Sequence, residues 1–511
     1  MNLHLNHLKL FAKIIFTVFL IFFAGKTLIY HFNLITFPFA NTLREGAMMT
    51  TTDALVKGLN PYDMSLQPRF MNQYGIMYPL FVWPWAKLFG TTILVHRAVT
   101  GFFILASCTL MFFVLNRLSV AFLLNCWAVL MLYASLLYPV TSTPTIDPAA
   151  TGMFFMLMTI FIPWFYKYSN KSLIISILFA ILAFYTKLYT FLGAIIMISY
   201  LFIFISKRKS LFYGFLLLIL MVISILIMNH CCSAYFDNCF FAALNMGKDW
   251  STMERLYLQI NMYTQIHLWT LILMGLLILG EIIRFILYRK NNSITITPIG
   301  NEIALILYAA LCAAFVLYMS LGRHNGAMLW YFFQLLSPFL LVTAAWLFNR
   351  LSLWPLVCIP FLIYNLYTIT SDEKYTYFDK NILEWDQIAP LIKNYQHILN
   401  SPVIAPLLIE QNKDIVDDGQ AEYFVPGGAR PPWLKKYLKE DNRVWIQQMM
   451  FFQNIRLMVE NKLYDLIILQ PGLLPLGVAD DIRKYYKYEG QILLMAPQDR
   501  RSYAVTIWKP L

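Results

Sequence analysis

The chain has 511 residues, 59% of them apolar and 13% charged, with a formal net charge of +12 and a mean hydropathy of +0.60. Soluble domains carry about 25% charged residues, so most of this chain is excluded from water and must satisfy its backbone polar groups inside membrane-crossing helices. The basic excess lies in short loops between apolar runs and forms no basic-aromatic stripe, which argues against nucleic acid as a partner.

Apolar runs long enough for a hydrocarbon core of about 30 Å occupy residues 10–30, 92–115, 120–140, 149–166, 173–189, 190–205, 211–229, 267–288, 304–321, 328–348 and 353–369. They predict about eleven transmembrane helices over residues 1–370. The first run lacks a small-residue cleavage site and reads as a span, not a removed signal peptide. The piece 77–87 is too short to cross and holds Pro79 and Pro84, so it reads as a re-entrant or interfacial segment.

Lys9, Lys13, Arg117, Lys167, Lys171, Lys207, Arg208, Lys209, Arg289, Lys290 and Arg350 fall in the N-terminal segment and alternate loops. The positive-inside rule makes that face cytoplasmic. The opposite face then carries loops 31–91, 141–148, 230–266 and 322–327 and everything after residue 370. Seven of the nine acidic residues before residue 371 belong to this opposite face, and none lies in the middle of a run. Proton-coupled transporters usually place carboxylates at mid-membrane, so the pattern favours chemistry at one membrane face.

Residues 371–511 hold the other 18 of 27 acidic residues. Periodicity predicts helices at 403–410, 445–461 and 478–486 and extended segments at 414–416, 463–469, 491–495 and 503–508. This reads as a small C-terminal α/β extramembrane domain, serving as a lid or scaffold or in acceptor binding. It has no G-x-G-x-x-G after a strand, so no nucleotide is assigned. Cys231, Cys232 and Cys239 share an outer loop, which leaves open a disulfide from Cys239 to either neighbour. With no CxxC pair and no His/Cys cluster, no metal site and no cofactor are expected, and a divalent ion is not indicated.

The stretch 44–90 carries the most chemistry. Group transfer from a lipid phosphate needs a base, cations for the leaving phosphate and a lipid groove at one membrane face. Glu45 follows the first span and opens an amphipathic stretch, which makes it the base candidate. Asp53 lies eight residues on, near the same side of a helix. Asp147, in T-S-T-P-T-I-D-P, is a second catalytic candidate, although Asp before Pro148 is also a helix start. Lys187 lies at the outer face, where the positive-inside rule disfavours lysine, and is either snorkelling or a phosphate contact. Arg323 and His324 in G-R-H-N-G-A are further phosphate candidates. Tyr74, Tyr78 and Tyr331 are candidate lining residues beside the aromatic-belt explanation.

This order of features resembles the GT-C superfamily of integral-membrane glycosyltransferases, particularly the bacterial branch similar to dolichyl-phosphate-mannose mannosyltransferases. The matching pieces are Glu45 followed by the A-x-x-x-G-x-N-P-Y stretch at 54–62 (near the family's A-x-x-L-x-x-G-x-N-P-Y), then Y-G-I-M-Y-P at 74–79 and T-I-D-P at 145–148. Thr186-Lys187 matches a T-K-Q-like motif, and the stretch 322–331 a G-x-x-x-N-Y-like one. Arg44 stands where the family often has a second acid, and Thr145 where an arginine is usual. The resemblance implies a polyprenyl-phosphate-linked sugar donor and a glycan, lipid or protein acceptor. It also implies transfer with inversion at the periplasmic face of the bacterial inner membrane, the N-terminus being cytoplasmic. In that reading Glu45, helped by Asp147, is the base, and Lys187 and Arg323 hold the leaving phosphate. Glu45→Gln is then expected to stop transfer in a folded protein. The competing readings are a polysaccharide polymerase or ligase and a lipid-linked-sugar flippase or transporter. No convincing internal repeat supports the transporter.

Overall fold

The computed structural model describes residues 2–42, 44–138, 145–241, 252–289, 301–320, 331–370, 382–416, 442–470, 478–496 and 501–511. The chain is an integral membrane protein. The bundle comprises α1 (Asn2–Thr36), α2 (Glu45–Val56), α3 (Met77–Phe89), α4 (Ile93–Arg117), α5 (Phe122–Leu136), α6 (Ala149–Phe165) and α7 (Asn170–Thr186). It continues with α8 (Leu192–Tyr200), α9 (Lys207–Cys231), α10 (Thr252–Arg289), α11 (Asn301–Ser320), α12 (Ser337–Asn349), α13 (Trp354–Val357) and α14 (Ile359–Thr370). Among the described residues, seven helical stretches are long and apolar enough to cross a membrane. Shorter apolar helices at Phe122–Leu136, Ala149–Phe165, Asn170–Thr186 and Ile359–Thr370 occupy the remaining predicted runs.

Capping residues mark where these helices begin. The side chains of Thr92, Ser169 and Ser206 accept hydrogen bonds from the backbone N–H groups of Val95, Ser172 and Lys209, satisfying donors that a helix start leaves unpaired. One boundary differs from the sequence reading. The break between the fifth and sixth predicted runs falls at Lys187, which leaves α7 in an extended conformation, rather than after residue 189. Segment 77–87 is helical as part of the 13-residue α3. Tyr78, Pro79, Val82 and Ala86 are buried, while Trp85, Leu88 and Phe89 are exposed.

Two of the loop basic residues bind the turn that follows α6. Arg117 donates to the Phe165 carbonyl at 2.8 Å, and Lys209 donates to that of Tyr168 at 2.8 Å. Helix α2 and the C-terminal domain pack together. The approach is close at Gly46, where a Cβ would lie 3.0 Å from both Ala405 Cβ and the Pro402 carbonyl oxygen. Trp385 stacks on Phe39 with ring centroids 4.9 Å apart.

The C-terminal domain is α/β. It contains α15 (Ile382–Asn394), β1 (Ile398–Asn400), α16 (Ala405–Glu410), α17 (Asn442–Glu460), β2 (Leu466–Leu469), α18 (Val478–Tyr485), β3 (Tyr486–Ala496) and β4 (Arg501–Pro510). The sheet order is β1-β2-β4-β3, with β1 parallel to β2 and the other pairs antiparallel. Alternation along β2 sorts its side chains. Leu466 and Ile468 join the core shared with the bundle, while Ile467 and Leu469 join a second core with Ile455, Val459 and Ile482. Segment 414–416, predicted extended, is not part of the sheet. All seven cysteines are free thiols, so the bridge left open at Cys239 is not formed.

Candidate functional site

The loop between α2 and α3 is built to lie against the turn after α7. The N-P-Y piece forms a tight turn: Asn60 Oδ1 accepts from the Tyr62 N–H at 3.1 Å, and Asn60 Nδ2 donates to the Cys231 carbonyl at 2.6 Å. Tyr62 Oη then donates to the Tyr74 carbonyl at 2.7 Å, and Cys239 Sγ lies 3.2 Å from the same oxygen. At Gly75 the backbone meets the Tyr185–Thr186 peptide so closely that a Cβ would stand 1.9 Å from the Tyr185 carbonyl oxygen. The Gly75 N–H donates to the Thr186 carbonyl at 3.2 Å. The glycine in Y-G-I-M-Y-P therefore has a steric reason, which is to seat Tyr74 over the next residue along that turn.

That residue is Lys187. Its Nζ lies 5.0 Å from the ring centroid of Tyr74 and 5.4 Å from that of Tyr189. It donates to Oδ1 of Asp147 at 2.8 Å, and both side chains are buried. The Tyr189 ring packs on that of Tyr331 at 4.3 Å, and its hydroxyl donates to Gln334 Oε1. Gln334 sits in a π-helical turn, Phe332–Leu336, just before α12; such turns often mark functional positions. Arg44 is near enough to act electrostatically on Lys187 and on Tyr331. Asp147 also accepts from the Ala149 N–H at 2.7 Å, so it shapes the start of α6 and holds Lys187 at once.

Glu45 sits elsewhere in this arrangement. It is wholly buried, and its two oxygens receive four donors. Oε1 accepts from Arg97 Nε at 3.0 Å and the Ile146 N–H at 3.0 Å. Oε2 accepts from Arg97 Nη2 at 2.8 Å and the Asn41 N–H at 2.6 Å. Arg97 also donates to the carbonyls of Leu34, Phe37 and Phe39 at the end of α1. The carboxylate expected from the sequence to be the base is thus held in a buried ion pair in this structure. The partner is Arg97, not the adjacent Arg44. The signal for it was in the sequence: a lone arginine five residues into the apolar helix α4 needs a buried partner.

The other candidates divide. Tyr78 is buried, with its hydroxyl 3.2 Å from the His96 carbonyl and 3.1 Å from Thr100 Oγ1, so it ties α3 to α4. Asp53 pairs with Lys57 at 2.6 Å on the outer side of α2. The structure thus brings together Asp147, Lys187, Tyr74 and Tyr331 and leaves Glu45, Asp53 and Tyr78 outside that cluster. Arg323 and His324 lie outside the described residues. Tyr189 and Gln334 were missed because nothing local separates them from interfacial aromatic and polar residues. Among the described residues no group of three or more His, Cys, Asp or Glu side chains could hold a metal ion.

No family model and no curated sequence matches this chain. Solved structures do. ArnT from Cupriavidus metallidurans in the apo state superposes with a TM-score of 0.60 at 11% identity, over 96% of this chain and 98% of that one. ArnT from the same organism bound to undecaprenyl phosphate gives 0.56 at 12% identity, with the same coverage of 96% and 98%. The chain therefore shares the fold of these structures over nearly its whole length.

Proposed function

We propose that this protein is a glycosyltransferase that moves a sugar from a polyprenyl-phosphate donor to a glycan, lipid or protein acceptor. The face is the outer, periplasmic side of the bacterial inner membrane, and the reaction is a single displacement with inversion. The carrying observation is the Lys187–Asp147 pair, buried among Tyr74, Tyr189 and Tyr331 with Arg44 nearby. Lys187 and the nearby Arg44 are the cationic groups of this cluster, the kind a lipid phosphate requires. The GT-C fold supports the reading, and a structure with that fold holds undecaprenyl phosphate.

Each group has a defined task. An ammonium has three donors, and Asp147 takes one of Lys187, which leaves the others for phosphate oxygens. The acceptor oxygen attacks the anomeric carbon while Asp147 takes its proton. The bond from that carbon to the phosphate oxygen breaks, and the electron pair departs with the phosphate. Lys187 and Arg44 stabilise the charge that develops, the largest contribution a protein makes to such a step. Glu45 acts at one remove: through the Ile146 N–H it holds the residue before Asp147. It is a positioning residue. No cofactor is invoked.

The sidedness rests on the positive-inside rule applied to the basic residues of the alternate loops. The test is an assay in nanodiscs with a panel of polyprenyl-phosphate sugars and membrane extract as the acceptor source. Release of polyprenyl phosphate by wild type and not by Lys187→Met supports the reading. Movement of intact lipid-linked sugar across a sealed bilayer, with no release from any donor, overturns it in favour of a flippase.

A further inference from the structure

Between α2 and the C-terminal domain lies a second cleft, of about 430 Å³, within the range of about 300–1,000 Å³ typical of small-molecule sites. One wall is the outer loop, with Asp53, Lys57, Arg69 and Phe70. The other belongs to the C-terminal domain, with Asp414 and Phe451. Its residues are separate from the Lys187 cluster, but one loop serves both. Arg69 and Phe70 line the cleft, Asn72 Nδ2 donates to Thr51 Oγ1 at 2.7 Å, and Tyr74 covers Lys187.

We propose that this cleft binds the sugar of the acceptor, as a pyranoside. The inference rests on the transfer reading above only for the word acceptor. Phe70 and Phe451 supply apolar faces from opposite walls, which suit the C–H face of a sugar ring. Asp53 and Asp414 supply carboxylates that accept from sugar hydroxyls, and Lys57 and Arg69 supply charged donors; such charge-assisted bonds are about twice as strong as neutral ones. These charges meet in two pairs, Lys57–Asp53 at 2.6 Å within one wall and Arg69–Asp414 at 3.2 Å between the walls, with Lys57, Arg69 and Asp414 well exposed. The ionic groups are therefore kept wet and available. The Arg69–Asp414 pair joins the two walls, so a bound ring is gripped by both domains.

The test is saturation-transfer NMR on the full chain in nanodiscs of phosphatidylglycerol and phosphatidylcholine. The probes are the methyl glycosides of glucose, galactose and mannose, and no lipid-linked donor is present. The expected result is transfer to ring protons of at least one glycoside. It is lost in a Phe70→Ala/Phe451→Ala double variant, retained in Phe451→Tyr, and reduced in Asp53→Asn/Asp414→Asn. The carboxylate variants are on the surface and read the cleft even if the aromatic double variant fails to fold. No transfer to any glycoside in wild type, or equal transfer in both double variants, overturns the proposal. Glycoside binding by a protein that releases no polyprenyl phosphate would sink only the transfer reading. Release of polyprenyl phosphate without glycoside binding would sink only the cleft.

Discussion

Arg97 grips Glu45 with two hydrogen bonds, from Nη2 at 2.8 Å and Nε at 3.0 Å, and neither side chain has any exposure to solvent. The same guanidinium donates to the Leu34 carbonyl in the last turn of α1 and to that of Phe39 just beyond it. One ion pair therefore joins the first span, α2 and α4 on the outer-loop side, and through Ile146 it reaches the residue before Asp147.

Removing one partner leaves a charge buried without compensation, which costs about 3–5 kcal/mol. Glu45→Gln is expected to lower the thermal unfolding midpoint and the yield of folded protein in detergent. Glu45→Met combined with Arg97→Met should recover much of that loss, because the desolvation penalty disappears with the pair. A Glu45→Gln protein as stable as wild type but inactive would restore Glu45 as the base.

Lys187→Met is expected to lower polyprenyl-phosphate release by about 10²–10³-fold, the usual effect of deleting one stabilising donor. Asp147→Asn should fall at least as far, since it loses both the base and the partner of Lys187. Lys187→Arg tests shape as well as charge, because guanidinium and ammonium differ in geometry; partial activity in that variant with none in Lys187→Met would tie the effect to charge. Single-turnover rates with lipid-linked donor in nanodiscs check all three.

Gly75→Ala forces a Cβ to within 1.9 Å of the Tyr185 carbonyl oxygen unless the loop lifts. Overpacking of this kind costs about 1–3 kcal/mol. Lifting also carries Tyr74 away from Lys187. The variant is expected to lose both stability and transfer, whereas Gly58→Ala, strained only by its positive φ of 76°, should lose stability alone. Equal activity in wild type and Gly75→Ala would show that the ring over Lys187 is dispensable.

Glu410 of the C-terminal domain accepts from the Ile93 N–H at 2.7 Å. Burial pushes its carboxyl above the ordinary value of 4.5, against the opposing effects of that hydrogen bond and of Arg97. Its folded-state value is thus above the unfolded one. Its contribution to stability is fully present below 4.5 and is lost as pH rises through the raised value. Part of the side chain remains in solvent, which keeps the effect small. Glu410→Gln keeps an acceptor for Ile93 and removes the titration. Its unfolding midpoint, minus that of wild type, should grow as pH rises from 4.5 towards neutrality; a difference that shrinks instead would contradict the sign.

Length and apolarity alone determined the membrane class and the positions of the crossing helices, because in hydrocarbon each span must satisfy its own backbone and so announces itself locally. The tail's mixed period likewise announced an α/β domain, and the misplacement of 414–416 reflects how little three residues can signal. The candidate site was half legible. Lys187 and Asp147 stood out as charges at membrane edges, yet their pairing across 40 positions is invisible to local pattern. The surroundings of Glu45 appear only in three dimensions. A carboxylate after a first span reads the same whether it faces water or a guanidinium, and its partner here, Arg97, is 52 positions away. The cleft at Phe70 and Phe451 belongs wholly to the tertiary structure, since its two walls come from opposite ends of the chain and meet only when the C-terminal domain docks on α2.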